Sequence, residues 1–144
     1  MVVPDANLLI YAHNNSDPFS DRAQEWWKNL VAGDERIGLS WQVILAFTRI
    51  TTNPRLFPTP FTVTEVSIIV EEILSFSNVF LINPGSDHFR LFSQLLNEAG
   101  SAGNLVPDAH LAALAIENRA TLHSHDRDFQ RFSGLKLFDP IQRS

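Results

Sequence analysis

The chain has 144 residues, a formal net charge of −5 and no cysteine. That length fits one domain able to bury about two thirds of its unfolded surface unaided, and the lack of Cys excludes disulfides, thiolate metal sites and cysteine nucleophiles, as expected of a cytoplasmic protein. The negative charge argues against nucleic-acid binding through overall electrostatics, although carboxylates gathered around a divalent cation would also make a protein acidic.

The opening "MVVPD" predicts a short strand that delivers Asp5 to its carboxyl end, followed by a helical turn in "ANLLIYA". Asp5 interrupts the apolar N-terminus and no run approaches the ~20 apolar residues of a bilayer span, so a soluble, unprocessed chain without a membrane partner is expected. From about Asp17 to Leu30 an apolar stripe through Ala23, Trp26, Trp27 and Leu30 predicts a helix with Ser20 as its N-cap. "LSWQVILAFTRITTNPRLF" gives a second helix capped by Ser40 and stopped at Asn53-Pro54. After "FPTPF", Thr62 or Thr64 caps "EVSIIVEEILSF", and "NVFLIN" reads as a buried strand. "SDHFRLFSQLLNEAGSAG" predicts a helix ending at Gly100, "VPDAHLAALAIEN" another, "ATLHSH" a strand and "LKLFDP" a final edge strand. This order favours an α/β fold, a parallel sheet with helices on both faces.

Ligand sites in such sheets gather at the carboxyl ends of the strands. Asp5 and Asp126 each follow a predicted strand, and Asp108 opens the helix that feeds the second of them. Alone, Asp108 is an ordinary helix-start residue, Asp5 a turn former and "HDRDF" a solvated loop. Brought to one sheet edge they would repel one another, and a divalent cation with oxygen ligands is the common remedy. Strand alternation puts Ser124 on the side of Asp126, able to orient a carboxylate, with His123 and His125 on the other side. His110 lies about 200° around its helix from Asp108 and Glu117 about 180°, so both are expected to stand apart from the cluster, Glu117 as a solvent-facing or C-terminal-half residue. The tryptophans read as packing residues. Arg49, Arg55, Arg127 and Arg131 are the candidate phosphate contacts.

Three stretches, "VVPDANLLIYA", "SWQVILAFTRITTNPRLF" and "NLVPDAHLAALAIENRATLHSHDRDFQRFSGLKLFDP", resemble the PIN-domain ribonucleases, and among them the VapC-type toxins of bacterial toxin–antitoxin systems. The resemblance runs nearly end to end and is most specific in the last stretch. It implies a single PIN-like domain over residues 1–144 and an acidic cluster that binds Mg²⁺ or Mn²⁺ for RNA hydrolysis. Asp5, Asp108 and Asp126 carry over as catalytic metal ligands, with Asp128 as an additional acid and Asp5 and Asp108 as the inner pair. It further implies a homodimer and a cognate antitoxin reaching the acidic pocket with an Arg or Lys.

The same pattern places a Glu in the second helix, where this chain has Ala46; no Asp or Glu occurs between Glu35 and Glu65. One firmly held ion, with a second recruited by substrate, is therefore the expectation. A rival reading is a PIN-like module that binds RNA or antitoxin without cleaving. A phosphoacceptor domain is disfavoured because no Lys stands near a late strand end except the isolated Lys136.

Overall fold

The computed structural model describes residues 1–142. Five strands, β1 (Val2–Pro4), β2 (Ile37–Ser40), β3 (Val79–Ile82), β4 (Thr121–His123) and β5 (Lys136–Phe138), form one sheet in the order β3-β2-β1-β4-β5. Every neighbouring pair is parallel. Six helices connect them: α1 (Ala6–Ala12), α2 (Ser20–Ala32), α3 (Trp41–Thr51), α4 (Val63–Ser75), α5 (His88–Ala99) and α6 (Val106–Glu117). All residues of β1 and β2 are buried, which requires cover on both faces, as the βαβ connections of a parallel sheet supply. The main core joins Val3, Ile37, Leu39 and Leu122 from the strands to Val43 and Phe47 of α3 and Leu111 and Leu114 of α6. In α6 the small residues Ala109, Ala112, Ala113 and Ala115 are fully buried, which lets that helix approach its neighbours closely.

Several local expectations hold in detail. Ser40 caps α3 by accepting from the Val43 N–H at 3.1 Å. Thr62, not Thr64, caps α4 in a reciprocal pair with Glu65. Gly100 ends α5 with φ +67°, a left-handed conformation that favours glycine.

Three differ. Ser20 is the first residue of α2, not its cap; it is buried and its Oγ accepts from Gln24, while Asp17 receives the Phe19 N–H at 2.8 Å just upstream. β3 is an edge strand, so Phe80 and Leu81 are exposed where a buried strand was expected, and Arg36 covers the Phe80 ring at 4.6 Å. β2 was not expected at all. It is four residues long and carries Gly38, a residue type that weakens strands; here a Cβ would lie 2.9 Å from Met1 Sδ and 3.1 Å from Ile82 Cγ2, so close packing across the sheet favours glycine.

The sheet order fixes where a site can form. β1 sends its chain toward β2 on one side, while β4 returns on the other. The crevice at a parallel sheet's switch point therefore opens at the carboxyl ends of β1 and β4.

Candidate metal centre

The pairing of Pro4 with His123 sets the two strand ends level, and the ladder continues one step as the Asp5 N–H donates to the His123 carbonyl at 2.9 Å. Asp5 and Ser124 therefore emerge side by side. Ser124 Oγ is buried and donates to Asp5 Oδ2 at 2.7 Å, while Asp5 Oδ1 caps α1 by accepting from the Ala6 N–H at 2.7 Å. The same Ser124 Oγ accepts from the Asp126 N–H at 3.0 Å. Asp126 Oδ1 in turn accepts from the Asp128 N–H at 2.9 Å, opening the 3-10 turn Arg127–Arg131. Serine is thus the pivot that aims two acids from two strands.

Asp108 arrives from α6. It is the third residue of that helix, after Pro107, and the flanking Leu105 makes no side-chain cap. Asp108, Asp126 and Asp128 each offer a carboxylate oxygen within 4.8 Å of the others. Asp5 stands just outside this mutual group, its two oxygens engaged by Ala6 and Ser124.

Among the described residues, no Lys or Arg forms an ion pair with any of the four acids. Burial, then Asp126, Asp5 and Asp128, push the Asp108 carboxyl up to about 6. Burial also raises Asp5, against the opposing hydrogen bonds from Ser124 and Ala6. Asn7, whose Nδ2 approaches Ser124 Oγ at 3.4 Å, leaves its Oδ1 buried without a hydrogen-bond partner. An all-oxygen donor set that, among the described residues, has no cationic partner and is bordered by an unpaired acceptor fits a hard divalent cation such as Mg²⁺ or Mn²⁺.

The remaining candidates separate. Arg127 and Arg131 flank the acidic loop and are exposed, and Arg127 lines a small pocket with Ser124, His125, Asp126 and Asp139. Arg49 and Arg55 are also exposed, but Arg49 sits nine residues along α3 from Ser40, about 13 Å of helix axis. Ala46 is partly buried against the core, so α3 adds no carboxylate. His123 turns away from the acids: its Nδ1 accepts from Trp26 Nε1 at 2.9 Å, and burial pushes it down to about 4.

Sequence reasoning overlooked Asn7 and Asp139. Asp139 pairs with His125 Nδ1 at 2.8 Å at the carboxyl end of β5, and His125 packs on Phe19 and Tyr11 with centroids 4.7 and 6.2 Å away. The signal for Asp139 was present, since it follows the predicted edge strand as Asp5 and Asp126 follow theirs.

The PIN domain family profile matches residues 2–135. The chain belongs to the PIN-domain family. It is 40% identical over 142 residues to Ribonuclease VapC33 of Mycobacterium tuberculosis, covering 99% of both chains. Identity to Ribonuclease VapC37 of the same organism is 37% over 140 residues, 97% of each chain. These full-length relatives place it among the VapC members of the PIN-domain family. Solved structures share the fold at lower identity. VapBC2 from Rickettsia felis, bound to a promoter DNA fragment, aligns with TM-score 0.70 and 20% identity over 96% of this chain and 98% of that one. VapC20 of M. tuberculosis aligns with TM-score 0.68 and 14% identity, over 94% and 99%.

Proposed function

We propose that this PIN-domain protein is a divalent-metal-dependent endoribonuclease acting as the toxin of a toxin–antitoxin pair. The observation that carries the metal site is the convergence of Asp108, Asp126 and Asp128 within 4.8 Å, with no protein cation among the described residues pairing with them. The relatives' designation as ribonucleases supplies the substrate class. Asp108, Asp126 and Asp128 would hold Mg²⁺ or Mn²⁺, with Asp5 as a further ligand oriented by Ser124. A cation held there supplies hydroxide near neutral pH and stabilises charge on the scissile phosphodiester. The chain's own part is to fix the acids, which Ser124 does through its bonds to Asp5 and Asp126, and to receive the RNA backbone on the exposed guanidiniums of Arg127 and Arg131.

Ala46 leaves α3 without a carboxylate, so one firmly held ion is proposed, with a second brought by the substrate phosphate. An acidic pocket on an acidic protein suits a cationic antitoxin segment, and several fold neighbours are toxin–antitoxin complexes. A homodimer and a cytoplasmic location complete the proposal. Trp41 and Leu45, one turn apart on α3 and 51% and 64% exposed, support an apolar self-association surface.

Ala46 also favours the second reading, a non-cleaving RNA- or antitoxin-binding module. Incubating purified protein with a structured RNA pool separates the two. Cleavage with Mg²⁺ or Mn²⁺ that EDTA and Asp5→Asn both abolish supports the nuclease. Cleavage that survives either treatment points to contamination, and binding without cleavage supports the module.

A further inference from the structure

Away from the acids, α5 and α6 face each other through a second set of metal-ligating groups. His88 Nε2 and His110 Nδ1 lie 2.8 Å apart across the two helices. The other ring nitrogen of His88, Nδ1, donates to the Glu117 carboxylate. Glu117 is itself fixed, because its Oε2 accepts from the Gly85 N–H at 2.9 Å, and a Cβ at position 85 would stand only 2.7 Å from that oxygen. Glycine at 85 is therefore what lets the backbone reach the carboxylate. Glu117, read as a solvent-facing or C-terminal-half residue, closes α6 but is mostly buried, with 16% side-chain exposure.

The two histidines open onto a cleft of about 490 Å³ lined by Gln42, Phe89, Phe92, Val106 and Pro107. Gln42 donates through Nε2 to the Pro107 carbonyl at 2.9 Å, and its Oε1 is buried with no hydrogen-bond partner. A buried acceptor left unpaired costs about 1–3 kcal/mol, and Gln42 lines the same cleft as the two imidazoles.

We propose that His88 Nε2 and His110 Nδ1, backed by Glu117, form a second metal site for a borderline transition-metal ion of the Zn²⁺, Co²⁺ or Ni²⁺ class. Imidazole nitrogen selects these ions over Mg²⁺, whereas the all-carboxylate cluster has the opposite preference. The Glu117–His88 bond is the arrangement that metal-binding histidines commonly have behind them; it fixes the proton on Nδ1 and leaves the Nε2 lone pair for the metal. In the metal-free protein His110 Nδ1–H donates to His88 Nε2 at 2.8 Å; an ion replaces that bond, the His110 proton moving to Nε2, so both rings bind as neutral ligands. Metal–nitrogen bonds of about 2.0–2.1 Å at a tetrahedral angle require the two nitrogens to part by about half an ångström. Water completes the coordination, and the ion ties α5 to α6.

The test is a Co²⁺ titration of the full chain with Mg²⁺ in excess to occupy the carboxylates, read by visible ligand-field absorption. One ion per chain is expected, with the bands retained in Asp108→Asn and lost in His88→Ala and in His110→Ala. Glu117→Gln should weaken binding about 10- to 100-fold. Should an alanine variant fail to fold, the ring ¹⁵N resonances of His88 and His110 in the wild-type protein give the same answer. Both must shift on adding Zn²⁺. No bands in the wild type, bands unchanged in a folded histidine variant, or resonances unmoved by Zn²⁺ would each overturn the proposal.

Discussion

Ser124 Oγ donates to Asp5 Oδ2 at 2.7 Å while accepting the Asp126 N–H at 3.0 Å, so one buried hydroxyl couples the carboxyl ends of β1 and β4. Ser124→Ala removes both bonds at once. It leaves a buried carboxylate oxygen and a backbone N–H without this partner, a cost of about 1–3 kcal/mol in stability. Loss of an orienting partner also weakens metal affinity, by about 10- to 100-fold. Urea unfolding and Mn²⁺ titration of the variant measure the two effects separately.

The raised carboxyl of Asp108 makes the metal-free protein pH-sensitive. Its ordinary value of 3.8 rises to about 6 in the fold, so between those values the folded chain holds a proton that the unfolded chain has lost. The stabilising contribution is complete below about pH 4 and disappears as pH rises through 6. After allowance for solvent screening at this half-exposed group it is on the order of 1 kcal/mol. Asp108→Asn should therefore stabilise the metal-free protein at neutral pH. Mg²⁺ affinity should show the opposite trend, rising about tenfold per pH unit below 6 if one proton is displaced. Thermal melts with EDTA and with Mg²⁺ across this range check both signs.

His123 responds in the other direction. Burial lowers it from 6.5 to about 4, and its neutral Nδ1 accepts from Trp26 Nε1. The stabilising contribution is complete above 6.5 and is lost as pH falls toward 4, since the unfolded chain takes up the proton first. Trp26→Phe removes the donor at a cost of about 1 kcal/mol but keeps an aromatic ring beside His123, so the value lowered by burial should persist. Histidine NMR titration, followed through the ring resonances, reports the shift directly.

Arg127, exposed between Asp126 and Asp128, forms no ion pair among the described residues and is the proposed phosphate contact. Arg127→Ala should weaken RNA binding at low salt and lower the slope of log affinity against log salt by about 0.7, the value for one single-stranded phosphate contact. Arg49→Ala, farther along α3, should leave the slope unchanged. Fluorescence anisotropy over a salt series, with the site blocked by Asp5→Asn, measures both.

The acids were legible because their neighbours carry strong local signals. A short apolar run before Asp5, a Pro-Asp helix start at 107–108 and a strand before Asp126 place three carboxylates without long-range knowledge. β2 was not legible: "IGLS" is too short for periodicity, and Gly38 is favoured by Met1 and Ile82, contacts made only once the sheet exists. For the same reason the edge position of β3, the pairing of His125 with Asp139, and Glu117 reaching Gly85 escaped the sequence. Each depends on strand order or on helices packed across tens of residues. The grouping of Asp128 with Asp108 and Asp126 turns on the 3-10 turn at Arg127–Arg131 and the bond that Asp126 makes to its own loop.

Action of these carboxylates through a bound cation is decided by the Mn²⁺ dependence of single-turnover RNA cleavage, measured in wild type and Asp108→Asn side by side. Wild-type cleavage is predicted to be absent in EDTA and to saturate with Mn²⁺, whereas Asp108→Asn should need at least about tenfold more ion or fail to cleave. A wild-type rate independent of Mn²⁺, or an identical Mn²⁺ profile in Asp108→Asn, would contradict the account.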